Sequence, residues 1–248
     1  MRLIFVRHGQ SSNNAAYAAS ADGAADTAAG KAAERDEHSG WAYPGRVPDP
    51  PLTALGLRQA EALGGALRLG RAPFRPTHLY SSLTTRAAQT ARPLAEAVGL
   101  PVVLRPDLYE VGGIHHYDPA TRTRQPREGA TLAALQAVCP PAVPGPGVDP
   151  VASWAGGFEA DDALALPRAR TLLADLRAAH GPDDVVTLVT HQYFSQFLIA
   201  VLIGLESPPW QRFRVDNTAH VAVRLEGGAV SVDWVNRGDH LAAADVTN

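Results

Sequence analysis

The chain has 248 residues, of which 46% are hydrophobic and 19% are charged, an ordinary composition for a globular protein. The net charge of -3 at pH 7 gives no reason to expect a nucleic-acid partner, so an anionic substrate would need a local basic pocket. One cysteine excludes an internal disulfide and is typical of a reducing compartment. Neither a secretory signal nor an apolar run of roughly 20 residues is recognisable, so we expect a soluble cytoplasmic protein with no membrane partner.

Short apolar runs alternate with helical patterns along the chain. The predicted strands are residues 2–6, 77–81, 102–105 and 185–190, followed by a closing hairpin of 220–225 and 230–235. The predicted helices are residues 53–67, 83–98, 131–138, 163–180 and 193–203. This alternation predicts an α/β fold, a three-layer α/β/α sandwich around a mostly parallel sheet.

Two segments depart from the alternation. Residues 15–50, approximately, begin with a stretch rich in alanine and glycine, which suits either a helix or a mobile insertion. Residues 112–158 are rich in glycine and proline and hold one helical piece, as in a lid, a binding insertion or a disordered stretch. We therefore expect one domain over residues 1–248, with insertions at about 15–50 and 112–158, the second of them lid-like.

Polar side chains follow the predicted strands where each strand ends. Arg7 and His8 follow the first strand, Ser81 closes the second, Glu110 lies beyond the third, and His191 follows the fourth. Open parallel sheets bind ligands at the carboxyl ends of their strands. We therefore expect these side chains to share one site.

Each of these residues also has an ordinary structural interpretation when it is taken alone. A histidine after a strand is more often structural, Arg86 early in a helix is by default solvated, and Glu110 would usually be hydrated. Together they suit phosphate, because two arginines match phosphoryl oxygens through paired hydrogen bonds. The polar run 10–14 can present helix amides to an anion, and Glu110 becomes a candidate proton donor.

Five ordered blocks resemble the histidine phosphatase superfamily, which contains cofactor-dependent phosphoglycerate mutases and many phosphatases. The blocks are residues 6–11 (VRHGQS) with Asn14, 52–60 (LTALGLRQA), 80–91, 108–110 (LYE) and 189–191 (VTH). The resemblance implies that His8 attacks phosphorus and forms a phosphohistidine. It further implies that Arg7, Arg86 and His191 surround the phosphoryl oxygens and that Glu110 protonates the leaving group. No metal or other cofactor is expected, because these side chains supply the positive charge.

Four further residues are candidates for substrate contact: Asn14, Ser81, Gln192 and His115. Gln192 is a departure, since the family commonly has glycine after the second histidine, and this side chain either narrows the pocket or contacts the substrate. His115 and His116 are adjacent but lack a nearby cysteine or spaced carboxylates, which disfavours a metal site. We expect the segment around them to supply polar and basic lid contacts, an ordinary solvated surface being the alternative.

Three functions fit these residues. Mutases of the family carry a basic, tyrosine-containing segment soon after the acid, whereas here Glu110 is followed by Val-Gly-Gly-Ile. This favours a phosphatase that acts on a small phosphorylated substrate over a mutase. A non-catalytic phosphate-binding protein is disfavoured by the intact His8 and Glu110, since a pure binder needs neither. The sequence indicates neither the substrate nor an oligomeric state.

Overall fold

The computed structural model describes residues 1–20, 43–206 and 213–248. Within these ranges nine β-strands form, all bounded as follows: β1 Arg2–Arg7, β2 His78–Ser82, β3 Val102–Arg105, β4 His115–Asp118, β5 Thr123–Pro126, β6 Ala142–Pro144, β7 Val185–Thr190, β8 His220–Glu226 and β9 Ala229–Arg237. Seven of them make one sheet in the order β6-β3-β2-β7-β1-β8-β9. β1, β2, β3, β6 and β7 run parallel, while β8 pairs antiparallel with β1 on one side and with β9 on the other.

The described residues form six α-helices: α1 Ser12–Ala19, α2 Ala54–Arg68, α3 Thr85–Val98, α4 Leu132–Val138, α5 Ala165–Ala179 and α6 Gln192–Leu202. Thr53 caps α2, because its hydroxyl accepts a hydrogen bond from the Gly56 amide. Gly99 ends α3 in the left-handed conformation, with φ of 73°, which glycine adopts without steric cost. None of the described helices has the length and apolarity needed to cross a membrane.

Helices cover both faces of the sheet. Leu3 and Phe5 of β1 are fully buried against α5 and α6, whereas Ile4 and Val6 are fully buried on the face that α2, α3 and α4 cover. The alternation of strand side chains between the two faces therefore builds two hydrophobic layers. The predicted three-layer α/β fold with a mostly parallel sheet is confirmed.

The segment 112–158 is more regular than its composition predicts. It contains α4 as expected, but also the two-stranded sheet β4–β5 and the edge strand β6. The expectation of a single regular piece is wrong here, because these strands are only three or four residues long and β4 and β5 are mostly polar. Such runs carry no clear alternation of apolar residues. Of the predicted insertion at about 15–50, residues 21–42 lie outside the described ranges.

Two neighbouring glycines of α2 differ in how closely they pack against α3, which predicts opposite effects of substitution on stability. A Cβ added to Gly64 would lie 2.7 Å from the Pro93 carbonyl oxygen, whereas one added to Gly65 meets nothing within 4 Å. We expect Gly64→Ala to lower the free energy of unfolding by about 1–3 kcal/mol through overpacking. Gly65→Ala is expected to raise it by about 0.5–1 kcal/mol, since alanine favours the helix. Urea unfolding of the two variants measures both changes in the free energy of unfolding. Equal changes would contradict the close contact of Gly64 with Pro93.

Candidate active site

The pairing of β1 with β7 brings the two predicted histidines together. Arg7 is in register with Thr190, and the His8 amide donates to the Thr190 carbonyl at 3.0 Å. His8 and His191 therefore follow adjacent strand ends, with ring centroids 5.1 Å apart. Both side chains are buried, with His8 5% exposed and His191 fully covered.

Arg86 connects the two histidines. Its Nε lies 3.1 Å from His8 Nε2, and its Nη2 lies 3.1 Å from His191 Nδ1. Asp49 approaches from the other side, with Oδ1 at 3.5 Å from Nη1, and also accepts from the amide and hydroxyl of Thr85. The guanidinium is thus held at the first turn of α3, between one carboxylate and two imidazoles.

The partners of His8 determine which of its nitrogens carries the proton. Nδ1 lies 2.7 Å from the Gly9 carbonyl, which can only accept, so Nδ1 is the donor. Nε2 then carries the lone pair and accepts from Arg86. Burial lowers the pKa of His8 well below its usual 6.5, and the charges of Arg86 and Arg7 lower it further. His8 is therefore neutral near pH 7.

His191 is neutral for related reasons. Its Nδ1 accepts from Arg86, so its Nε2 carries the proton and donates to the Ser82 hydroxyl at 3.0 Å. Burial, followed by the charge of Arg86, lowers the pKa of His191 well below 6.5. Both of its ring nitrogens are therefore engaged.

Arg7 turns toward the chain segment after α6. Its Nη1 donates to the Val215 carbonyl and to Asn248 Oδ1, both at 2.8 Å. Burial lowers its pKa to about 10, so the group stays charged at pH 7. Its buried Nε has no hydrogen-bond partner among the described residues. A buried donor of this kind is expected to have a partner, and a bound anion would supply one.

Glu110 is half-buried beneath the first turn of α6. One oxygen accepts from the amides of Val111 at 2.9 Å and Phe194 at 2.8 Å, and the other accepts from the Tyr193 amide at 3.1 Å. Burial raises the pKa of Glu110, while these three amide donors oppose the rise by favouring the carboxylate. The side chain also fixes the start of the helix that follows His191, which the sequence did not reveal.

The second sequence block fixes the loop that carries His8. A Cβ on Gly9 would lie 2.5 Å from the Gly56 carbonyl oxygen, so this close approach requires glycine. The Gln10 carbonyl accepts from the Thr53 amide at 2.9 Å, and the Gln10 amide donates to Gln59 at 2.8 Å. The block at 52–60 therefore positions the loop that carries His8.

The four predicted substrate contacts have protein partners. Asn14 Oδ1 accepts from the Ser11 amide at 3.0 Å, so it caps α1. Ser81 is fully buried and donates to the Ser82 carbonyl at 3.1 Å. Gln192 Oε1 accepts from the Val215 amide at 3.2 Å, so its side chain holds the segment that Arg7 also contacts.

His115 is brought next to a residue that the sequence did not single out. It is fully buried, its Nδ1 donates to the Gly113 carbonyl at 3.0 Å, and its Nε2 accepts from Arg46 Nη2 at 2.8 Å. Burial lowers the pKa of His115 to about 3, with Arg46 as the second cause. The contact joins β4 to the segment that precedes α2. A role of His115 in substrate binding stays a prediction.

Two contributors to the site were missed by sequence reasoning. Asp49 binds Arg86, and Asn217 Nδ2 donates to the His8 carbonyl at 3.1 Å. Ser82, which adjoins Ser81 at the predicted strand end, is the partner of His191. Asp49 lies three residues before the 52–60 block, and this position could have marked it as a candidate site residue. Asn217 gives no comparable signal, because it lies in an irregular segment before β8.

The carboxyl edge of this α/β sheet carries two neutral histidines joined by an arginine whose side chain is only 11% exposed. Such an arrangement defines an anion-binding enzyme site of the phosphoryl-transfer class. Comparison with known proteins gives the family. The family model of the histidine phosphatase superfamily (branch 1) matches residues 35–238. The chain therefore belongs to the histidine phosphatase superfamily, and its predicted class, a phosphatase-type enzyme, agrees with that membership.

Solved structures of similar fold cover nearly the whole chain. A mycobacterial glucosyl-3-phosphoglycerate phosphatase is 24% identical, with a TM-score of 0.56 over 95% of this chain and 98% of that one. A phosphoserine phosphatase from Entamoeba histolytica, solved with 3-phosphoglyceric acid, is 19% identical, with a TM-score of 0.58 over 97% and 99%. A putative alpha-ribazole-5'-P phosphatase from Escherichia coli is 22% identical, with a TM-score of 0.58 over 96% and 98%. These likenesses establish the shared fold.

One curated relative matches part of the chain. A PE-PGRS family protein of Mycobacterium tuberculosis is 36% identical over 109 residues, which is 44% of this chain. The matched region is 14% of that protein's length, so the likeness describes only a small part of the larger protein.

Proposed function

We propose that this chain hydrolyses small phosphomonoesters by transferring their phosphoryl group to Nε2 of His8. The observation that carries the proposal is the fixed tautomer of this ring. Because Nδ1 donates to the Gly9 carbonyl, the lone pair is on Nε2, which points to Arg86 and its phosphate-binding donors. The low pKa keeps the ring neutral and nucleophilic at physiological pH.

Arg86 and Arg7 would bind the phosphoryl oxygens, and His191 would join them with its proton moved to Nδ1, the nitrogen that faces Arg86, while the Ser82 hydroxyl donates to Nε2. Substrate oxygens would take over the Arg86 N–H groups that now contact the imidazoles, which would free His8 Nε2 for in-line attack. The buried Nε of Arg7 offers a further donor. The two guanidinium groups, that of Arg7 buried and that of Arg86 largely so, would stabilise transition-state charge without a metal ion at the reacting centre.

Glu110 would act as the acid and then as the base. Burial favours its protonated form, which can give a proton to the leaving oxygen, and the α6 amides favour the carboxylate that remains. The carboxylate can then accept a proton from the water that attacks phosphohistidine. In this second step, the His8–phosphorus bond breaks, water oxygen binds phosphorus and inorganic phosphate leaves.

Phosphate release from a substrate panel tests the proposal. We would assay the purified full chain, in the presence of a chelator, with p-nitrophenyl phosphate and with phosphorylated sugars, sugar acids and amino acids. The names of the structural neighbours place phosphoglycerate esters and phosphoserine in the first panel. We expect inorganic phosphate at rates that the chelator does not change. Transfer of the phosphoryl group to a second phosphoglycerate without phosphate release would instead establish a mutase, and binding without turnover would establish a phosphate-binding protein.

A further inference from the structure

A second group of histidine and carboxylate side chains lies at the opposite edge of the sheet. His78 is the first residue of β2, and His180 and Asp184 belong to the turn between α5 and β7. One nitrogen of each histidine and one carboxylate oxygen all lie within 4.8 Å of one another. Since β2 rises about 3.3 Å per residue over its five residues, this cluster is about 15 Å from the edge that carries His191.

The carboxylate of Asp184 approaches a nitrogen of each imidazole ring, and the two rings are themselves in contact. Its Oδ1 is 3.6 Å from His78 Nδ1, its Oδ2 is 3.5 Å from His180 Nδ1, and the ring centroids are 4.4 Å apart. The side chain of His180 is only 3% exposed, yet its Nδ1 has no hydrogen-bond partner among the described residues. A buried ring nitrogen without a partner, directed at a carboxylate, is unusual in a folded protein.

We propose that His78, His180 and Asp184 bind one divalent transition-metal ion of the zinc type. Zinc takes histidine nitrogens and carboxylate oxygens at about 2.0–2.2 Å in a tetrahedral arrangement, which places neighbouring ligand atoms about 3.4 Å apart. The two observed nitrogen–oxygen separations of 3.6 and 3.5 Å are close to that value, and since they involve different oxygens of Asp184, the carboxylate would bind the ion through both of them. Two imidazoles favour zinc, cobalt, nickel or copper over magnesium and calcium, which prefer oxygen ligands.

Neighbouring hydrogen-bonding groups orient these three side chains, as groups around the ligands of a metal site commonly do. His180 Nε2 lies 3.0 Å from the Tyr80 hydroxyl, so Nε2 can hold the proton and donate it there while Nδ1 binds the ion. The Gly181 amide donates to Asp184 Oδ2 at 2.8 Å and fixes the carboxylate. The Thr77 hydroxyl lies 3.0 Å from His78 Nδ1. It can donate instead to Asp184 Oδ1 or to the Val185 carbonyl, each at 3.4 Å, which leaves His78 Nδ1 for the ion.

The ion would join the start of β2 to the turn that precedes β7, outside the reacting centre. The His78 side chain is 43% exposed, which leaves a route to the site from solvent and a coordination position for water. An ion that binds only the folded chain stabilises it by ligand linkage. The inferred role is therefore stabilisation, and it is independent of the proposed phosphatase chemistry.

Titration of the metal-stripped full chain with Co²⁺ and Zn²⁺ tests the site. We expect one ion per chain by calorimetry, a Co²⁺ absorption spectrum typical of nitrogen and oxygen ligands, and a Tm that rises with Zn²⁺ concentration. His78→Ala and Asp184→Asn should each weaken binding at least about tenfold. Since the His78 side chain is 43% exposed, His78→Ala should have the same Tm as the unaltered chain when no metal is present. Metal binding by His78→Ala therefore tests the site even if Asp184→Asn fails to fold.

Two control variants separate this site from other histidines. His116→Ala removes an exposed histidine of β4, and His8→Ala removes the proposed nucleophile; both should bind the ion as the unaltered chain does. Binding that survives in His78→Ala, or that is lost in His8→Ala, would overturn the assignment by placing the ion elsewhere. Absence of saturable binding would overturn it as well.

Discussion

Replacement of His8 by alanine is expected to lower kcat by roughly 10³-fold or more and to abolish the phosphorylated enzyme. His191 also presents a lone pair to Arg86, from its Nδ1, but its ring is fully covered, whereas His8 is 5% exposed. The proposal therefore assigns the attack to His8, and His191 alone should not form a phosphorylated enzyme. Steady-state assays and rapid acid or alkaline quenching with labelled substrate measure the two effects, since phosphohistidine is lost in acid and survives alkali.

An exposed histidine provides the matched control for this result. His116→Ala removes an imidazole of β4 that is solvent-exposed, and it should leave both kcat and the phosphoenzyme unchanged. The Tm of His8→Ala should stay near that of the unaltered chain, so that the lost rate reflects chemistry. Near-normal turnover in His8→Ala, or phosphate trapped on another residue, would contradict the phosphohistidine mechanism.

The sequence predicted the sheet and the position of its functional edge because both follow from local patterns. Apolar runs of strand length separated by amphipathic helices admit few arrangements, and parallel strands place their carboxyl ends together. Arg7, His8 and His191 therefore follow adjacent strand ends once β1 pairs with β7, while their roles stay predictions. Arg86 joins them because β2 pairs with β7 on its other side and α3 begins just beyond β2.

The side-chain partners could not be predicted from the same patterns. Gln192 was expected at the substrate, yet it holds the backbone at Phe213 and Val215. Ser81 and Ser82 are adjacent in a strand, so they point to opposite faces, and the register decides that Ser82 meets His191. Tertiary geometry sets these choices, since each depends on contacts between residues 20 to 110 positions apart.

Removal of the Arg86 guanidinium is expected to have an effect almost as large. In Arg86→Ala, kcat/KM should fall by about 10²–10³-fold, the usual cost of losing one donor to the transition-state oxygens. Arg86→Lys should recover little of this loss, because one ammonium cannot reproduce the separate Nε and Nη2 contacts to His8 and His191. Steady-state kinetics with an aryl phosphate measure both variants.

The pH profile distinguishes this electrostatic role from a packing role. The charge of Arg86 lowers the pKa of both His8 and His191, so its removal raises both values. Since catalysis needs neutral His8, activity falls as pH drops through its pKa, and the acid limb of kcat/KM should move to higher pH in Arg86→Ala. Arg92→Ala, which removes an exposed arginine of the same helix paired with Glu96, should change neither rate nor profile. An unshifted acid limb in Arg86→Ala would show that the arginine does not act on the nucleophile.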